Sequence, residues 1–307
     1  MRIGLDLGGT KIEVAVLREN GEFFFRHRVD TPQGRYRETL AAVVQLIRLA
    51  YGEITKQYPA LGVWGQVAVG IGLPGAISHR TGRVKNANST CLIGEDLQGD
   101  LQAMLGFAVR LANDADCFTL SEAVDGGGQG FNLCMGVILG TGVGGGIAVT
   151  GRLLQGPNRI TGEWGHNPLP WPTDAERPGP ECYCTKRGCI ETFLSGPGLA
   201  RDHQWRTGER LDAREVVRMA QAGDAGAVET LRIYADRLAR GLAQVINVLD
   251  PDVIVLGGGL SNVARFYVDV PALLPRYVFT DQVETKIVKA RFGDSSGVRG
   301  AAWLGAG

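Results

Sequence analysis

Two stretches of this 307-residue chain repeat one unit: an apolar strand, a glycine-cornered turn and a second apolar strand. In the first, Ile3 to Leu5 and Ile12 to Leu17 flank Asp6-Leu7-Gly8-Gly9-Thr10-Lys11. In the second, Leu133 to Leu139 and Ile147 to Val149 flank the run from Gly140 through Thr141, Gly142, Val143, Gly144 and Gly145 to Gly146. Two more apolar runs, Val67 to Leu73 and Val253 to Leu256, each end in a glycine loop, Pro74-Gly75 and Gly257-Gly258-Gly259. Such repetition predicts two similar halves. Helical spacing over Leu40, Val43, Val44, Ile47, Tyr51, Ile54 and Tyr58, and again from Val228 to Leu249, alternates with these strands. That alternation predicts α/β layering. A strand over Phe107 to Leu111, a helix over Ala115 to Val124 and a small-residue helix near Gly297 to Leu304 complete the expected elements.

Composition narrows the function classes. The chain carries 45 glycines, about twice the usual share of ~7 per cent, and they cluster after apolar runs. Glycine there lets a backbone come close to a ligand. Lys and Arg number 32, as do Asp and Glu, so no basic footprint for nucleic acid is expected. No run of 18 apolar residues predicts a membrane span, and the start MRIGLDLGGTK has no secretory h-region. A cytoplasmic location is therefore expected. Six cysteines in that compartment read as thiols or metal ligands, not disulfides.

Gly140, Gly142 and Gly145 satisfy G-x-G-x-x-G, but a second strand follows where a dinucleotide fingerprint needs a helix. The Walker pattern is absent. Two glycine-cornered hairpins are able to clamp a triphosphate through backbone N–H groups, with Asp6 near a bridging Mg²⁺. The bland reading is a pair of ordinary tight hairpins.

His166, Cys182, Cys184 and Cys189 lie within 24 residues of one another. Four such ligands suit a closed, tetrahedral, structural Zn²⁺ site. The alternative is three thiols and a surface histidine. Cys91, Cys117 and Cys134 sit in or beside apolar runs and read as core. Asn113-Asp114 follows a strand and precedes a helix. Asp114 reads either as a helix N-cap or as the base for a sugar hydroxyl, since phosphoryl transfer asks for little more than positioning, charge neutralisation and one nearby carboxylate. Asp116 is the nearest rival. Glu163 and Glu191 flank the candidate metal ligands. They read either as surface charges or as paired acceptors of sugar hydroxyls.

The sequence resembles the ROK family of bacterial sugar kinases and related repressors over essentially its whole length. The resemblance rests on Asp6 to Lys11, Leu111 to Ala115, Gly140 to Gly146, Gly162 to His166, the run Cys182, Cys184, Cys189 and Glu191, and Leu256 to Gly259. It implies a two-lobed, actin-like ATPase (ribonuclease H-like) fold with duplicated halves and a cleft. Residues 1–113 would form a small lobe rejoined by a helix over 294–307, and residues 114–293 a large lobe with the zinc loop. It implies that Asp6, Gly8, Gly9, Thr10 and Lys11, with Gly140, Thr141, Gly142 and Gly144, bind ATP phosphates. Gly257, Gly258 and Gly259 would lie against adenosine. Asn88, Asn113, Glu163, His166 and Glu191 would hold the sugar, with Asp114 as general base. His166 would bind zinc through one ring nitrogen and face the sugar with the other. The family usually places glycine after the second cysteine; Thr185 stands there in this chain.

Gly162 to Trp171, Val84 to Thr90 and Gly293 to Trp303 are most similar to bacterial fructokinases of the manno(fructo)kinase type. That similarity implies phosphorylation of fructose, with mannose as a second substrate, at the 6-hydroxyl, and the resemblance to the ROK family implies a homodimer. Glucose or an N-acetylhexosamine is the alternative substrate. A sugar-sensing repressor is the alternative class, and it is disfavoured because the phosphate turn begins at Asp6 and a basic patch is missing.

Overall fold

A computed structural model describes residues 1–87 and 89–305. In chain order the first elements are β1 (Arg2–Leu7), β2 (Lys11–Leu17), β3 (Phe23–Asp30), α1 (Tyr36–Gln57), β4 (Val69–Leu73), the short pair β5 (Ala76–Ile77) and β6 (Val84–Lys85), α2 (Leu97–Leu105), β7 (Arg110–Asn113) and α3 (Asp114–Asp125). There follow β8 (Leu133–Leu139), β9 (Val143–Val149), β10 (Arg152–Leu153), α4 (Ile190–Leu194), α5 (Gly196–Thr207), α6 (Ala213–Gln221), α7 (Ala225–Leu249), β11 (Val253–Gly257), α8 (Phe266–Leu273), β12 (Lys286–Lys289) and α9 (Ser296–Leu304).

Two five-stranded sheets repeat one order. The first runs β3-β2-β1-β4-β7 and the second β10-β9-β8-β11-β12. In the first, β1 pairs antiparallel with β2 and parallel with β4, which pairs parallel with β7. In the second, β11 pairs parallel with both β8 and β12. This is the mixed α/β, duplicated arrangement of the actin-like ATPases, as expected. The parallel strands β4 and β11 are buried at every position, which is why they read as unbroken apolar runs.

The chain divides into two compact units, Met1–Gly130 with Ile147–Thr161 and Asp294–Gly307, and Phe131–Gly146 with Gly162–Gly293. The first unit buries Ile3, Leu5 and Val14 of its sheet with Val43, Ile47 and Ile54 of α1. Position 113, the expected boundary, put α3 in the other half; α3 clusters instead with the first unit. The reason is α9, which ties to α3 through Ser296 Oγ donating to Glu122 Oε1 (2.8 Å) and through an Arg299–Asp125 ion pair.

β3 escapes sequence reading because Phe23-Phe24-Phe25-Arg26-His27-Arg28 does not alternate cleanly. It is an edge strand, where charge on the exposed face costs nothing and discourages stray pairing. The strand expected over 107–111 sits later, at Arg110–Asn113, which carries Asn113 to the strand's end.

Candidate active site and metal centre

Parallel strands deliver their functional residues at their carboxyl ends. In the first unit Asp6 lies near the end of β1, opposite Gly72 of β4, and Asn113 ends β7, opposite Leu73 of β4. The turn after Asp6 is a tight hairpin closed by Gly8 N–H donating to the Lys11 carbonyl (3.0 Å). Gly9, Thr10 and Lys11 are exposed. A cavity of about 370 Å³ adjoins the turn, lined by Leu7, Gly9 and Thr10 and by Thr31, Gln33 and Ser89 among others.

Asn113, not Asp114, caps α3: its side chain accepts the Asp116 amide. Asp114 stands at the first helical position, exposed, and its Oδ1 accepts the Ala115 amide (2.8 Å). Desolvation nonetheless raises its pKa, while the Ala115 amide pulls it down. Asp6 is raised further, to about 6, by desolvation first, then by the charges of Asp114 and Glu13; Arg28 opposes them. Asp6 and Asp114 therefore feel one another as like charges.

In the second unit Gly140 N–H donates to the Gly142 carbonyl (3.0 Å) and the Gly140 carbonyl accepts from Gly196 N–H (2.7 Å). Glu191 Oε2 accepts the Val143 amide (2.9 Å). A Cβ on Gly142 would lie 2.7 Å from that same oxygen, so only glycine admits the carboxylate here. Trp164 Nε1 donates to the Gly144 carbonyl (3.1 Å). Gly258 has φ +79°, and a Cβ there would stand 2.5 Å from the Leu139 carbonyl. The loop Gly257–Gly259 thus abuts the residue that opens the Gly140 turn. The structure brings these two glycine segments and Glu191 together.

His166, Cys182, Cys184 and Cys189 offer four ligand atoms that all lie within 4.8 Å of one another. Cys182 Sγ is 3.6 Å from His166 Nδ1, and Cys184 Sγ is 3.6 Å from Cys189 Sγ. A tetrahedral ion with ligand distances of ~2.3 Å puts its ligands about 3.8 Å apart. Number, softness and spacing of the donors therefore fit Zn²⁺. The second His166 nitrogen, Nε2, meets the Tyr183 hydroxyl at 2.8 Å. Desolvation, then the charges of Glu191 and Glu163, push that phenol up to about 12. Both glutamates thus act on one spot beside His166, although Glu163 itself is exposed.

Asn88 lies outside the described residues. Of the other cysteines, Cys117 and Cys134 are buried as expected, whereas Cys91 is half-buried and lines the cavity at the first turn. Four residues that the sequence reading did not single out take part. Thr31 clamps the first turn, Oγ1 donating to the Gly8 carbonyl (2.8 Å) and its amide to the Thr10 carbonyl (2.9 Å). Arg26 and Arg28 both pair with the buried Glu13, which lies opposite Asp6 in the sheet. Tyr183 stacks edge-on against His166. All four depend on cross-strand or through-space neighbours; only the period-2 placement of Arg26 and Arg28 was available beforehand. Among the described residues no helix is long and apolar enough to cross a membrane.

Comparison with known proteins covers the whole chain. Over 308 residues it is 40% identical to an N-acetyl-D-glucosamine kinase of Photobacterium profundum, spanning 99% of each. It is 38% identical to the enzyme of that name from Mannheimia succiniciproducens, again over 99% of each. Its structure is similar to the ROK hexokinase from Thermus thermophilus, with TM-score 0.85 and 30% identity over 99% of this chain and 97% of that one. It is also similar to a ROK family glucokinase from Streptomyces griseus solved with glucose and AMPPNP, with TM-score 0.76 and 26% identity over 99% of both chains. With the family model matching residues 2–307, the chain belongs to the ROK family.

Proposed function

We propose that this protein is an ATP-dependent sugar kinase that phosphorylates N-acetyl-D-glucosamine at its 6-hydroxyl. The observation that carries the reading is the division of labour at the start of α3. Asn113 caps the helix, which leaves the Asp114 oxygen that does not accept the Ala115 amide for a substrate proton, and desolvation raises the pKa of the group. A general base needs that combination of reach and raised pKa.

The remaining roles are those that the resemblance to the family implies. The turns Gly8 to Lys11 and Gly140 to Gly144 would cradle the phosphates through amides other than those of Gly8, Gly140 and Val143, which are bonded within the protein, and Gly257 to Gly259 would pack against adenosine. Asp6 would hold Mg²⁺, which takes one or two carboxylates beside phosphate oxygens and water. Bound there, the ion neutralises charge that develops on the transferred group. Asn113, Glu163, His166 and Glu191 would accept from or donate to sugar hydroxyls, and Asn88 is assigned with them. Zn²⁺ on His166, Cys182, Cys184 and Cys189 would fix the loop that carries His166 and Glu191.

The choice of sugar rests on the relatives. Fructose was expected from local similarity, but whole-length relatives at 38–40% identity are N-acetyl-D-glucosamine kinases, which favours the N-acetylhexosamine alternative. Side-by-side kcat/KM values for N-acetylglucosamine, glucose, mannose and fructose test this. N-acetylglucosamine should lead by at least ~10-fold, about 1.4 kcal/mol. A fructose lead of that size would restore the first expectation. Asp114→Asn should still bind the sugar in calorimetry while kcat falls by about 10²–10⁴. Wild-type kcat in that variant would move the base elsewhere.

A further inference from the structure

The second unit holds a larger cavity, of about 720 Å³, built from α5, α7 and the loop over residues 173–180. Its walls follow from helical spacing. Arg232, Asp236 and Arg240 recur every fourth residue on α7, beside Ile233 and Arg237; Arg201 and Trp205 recur likewise on α5. The lining carries seven arginines and three carboxylates, and Asp174, Glu181 and Glu229 just outside it pair with Arg177, Arg187 and Arg232.

The floor is internally neutralised. Glu176 accepts from Arg237 (2.7 Å) and Arg240 (2.8 Å), Arg237 also meets Asp202 (2.9 Å), and Arg240 meets Asp236 (3.0 Å). The rim is not. Arg232 pairs with Glu229 at 2.6 Å and Arg206 reaches that same carboxylate only at 4.0 Å. Arg201 donates to the Thr192 carbonyl, and among the described residues no carboxylate pairs with it. Two rim guanidiniums, Arg206 and Arg232, therefore share a single carboxylate, and Arg201 adds a third positive charge on which Asp202 acts without an ion pair among the described residues. Beside them stand the Trp205 ring, 73% exposed, and Asp202, whose Oδ2 is buried without a hydrogen-bond partner.

We infer that this cavity is a binding site for a phosphorylated sugar, distinct from the site proposed for ATP and substrate. Guanidiniums in convergent array suit a phosphate monoester, which accepts several forked hydrogen bonds at once. An exposed indole offers an apolar face for a pyranose ring. The volume suits one small ligand. The proposed function enters only in the choice of probe, since its product is a member of this class.

The test is calorimetric titration of the full chain with N-acetylglucosamine 6-phosphate and, separately, with inorganic phosphate. The wild type should bind two equivalents of the ester, one at the proposed active site and one in this cavity. Arg201→Gln combined with Arg206→Gln should lose one of the two while kcat without added ester stays unchanged. Trp205→Ala should weaken the same site at least tenfold. Inorganic phosphate should bind at least tenfold more weakly than the ester. If the kinase reading fails, the wild type should bind one equivalent and the arginine variant none, which still supports the cavity. Equal stoichiometry in wild type and variants, or equal affinity for inorganic phosphate, would overturn the inference. So would self-association through this face, abolished in the arginine variant, with no ester bound there.

Discussion

Glu191 Oε2 and the backbone amide of Val143 meet at 2.9 Å, so one carboxylate ties the Gly140 turn to the segment that begins at Cys189. Removing it leaves a half-buried amide without its acceptor. Glu191→Ala should lower kcat/KM by ~10-fold or more, with KM for sugar and kcat both affected, because the turn and the sugar contact proposed for Glu191 fail together. Glu191→Gln keeps an acceptor for Val143 and should preserve thermal stability while still raising KM for the sugar. Steady-state kinetics and melting curves on the two variants separate these roles. A Gln variant with unaltered KM would reduce Glu191 to a structural anchor.

The Cys/His cluster makes a sharper prediction. The loop from Pro168 to Gly188 has little regular structure beyond a short 3₁₀ turn at Asp174–Glu176 and isolated bridges, so a bound ion would supply much of its order. Structural zinc contributes ~10–16 kcal/mol of apparent binding energy in small zinc-dependent domains. Cys184→Ser should lose the metal and lower Tm by several degrees, and a strong chelator should do the same to the wild type. Elemental analysis of both proteins reads this directly; full zinc content in the variant would dismiss the site.

Asp6 links stability to pH. Its folded pKa is raised to about 6 from 3.8, so the folded chain holds a proton that the unfolded chain releases. The stability contribution is fully present below pH ~4 and is lost as pH rises through about 6, amounting to ~2–3 kcal/mol by pH 7. Asp6→Asn should therefore melt with the wild type near pH 4 and above it at pH 7.5, while losing nearly all turnover. Saturating Mg²⁺-ATP should narrow the gap by stabilising only the wild type. Thermal unfolding across that pH range, without nucleotide, is the measurement. A variant less stable than wild type at pH 7.5 would remove Asp6 from the desolvated position it occupies here.

How much of this was legible beforehand depended on where each signal lies along the chain. Local patterns were readable: the apolar runs of β1, β4, β8 and β11, the glycine turns after β1 and β8, and the spacing of His166 with three cysteines. The repeated sheet order followed from repeated units. What failed was whatever depends on a partner distant in sequence. Asn113 and Asp114 stand side by side with equal capping propensity, and only the register of β7 decided which one turned inward to cap. Membership of α3 was settled by α9, some 170 residues later by the span of the Ser296–Glu122 bond. The arginine stripe on α7 is periodic in the sequence, yet its meaning needed α5 beside it.

Thr185 carries the last prediction. Glycine usually stands after the second cysteine in the family this chain resembles, and the threonine adopts what glycine would: φ is +72°. Its amide donates to the Cys182 carbonyl (2.9 Å), closing a turn over Cys182–Thr185, and the Lys186 carbonyl that follows accepts from the Cys182 amide (2.8 Å). The chain thus keeps the backbone that the thiol cluster needs and accepts a strained β-branched residue to do so. Left-handed geometry costs a residue with a Cβ roughly 1–2 kcal/mol, offset by the ~0.4–1 kcal/mol that glycine loses through unfolded-state freedom. Thr185→Gly should therefore stabilise the protein by about 0.5–1 kcal/mol, a Tm rise of ~1–3 °C, with zinc content and kcat unchanged. Thr185→Pro, whose φ is fixed near −65°, should do the reverse and lose metal with the turn. Melting curves with metal analysis on both variants check the pair, and a Gly variant less stable than wild type would mean that Thr185 makes a contact worth more than its strain.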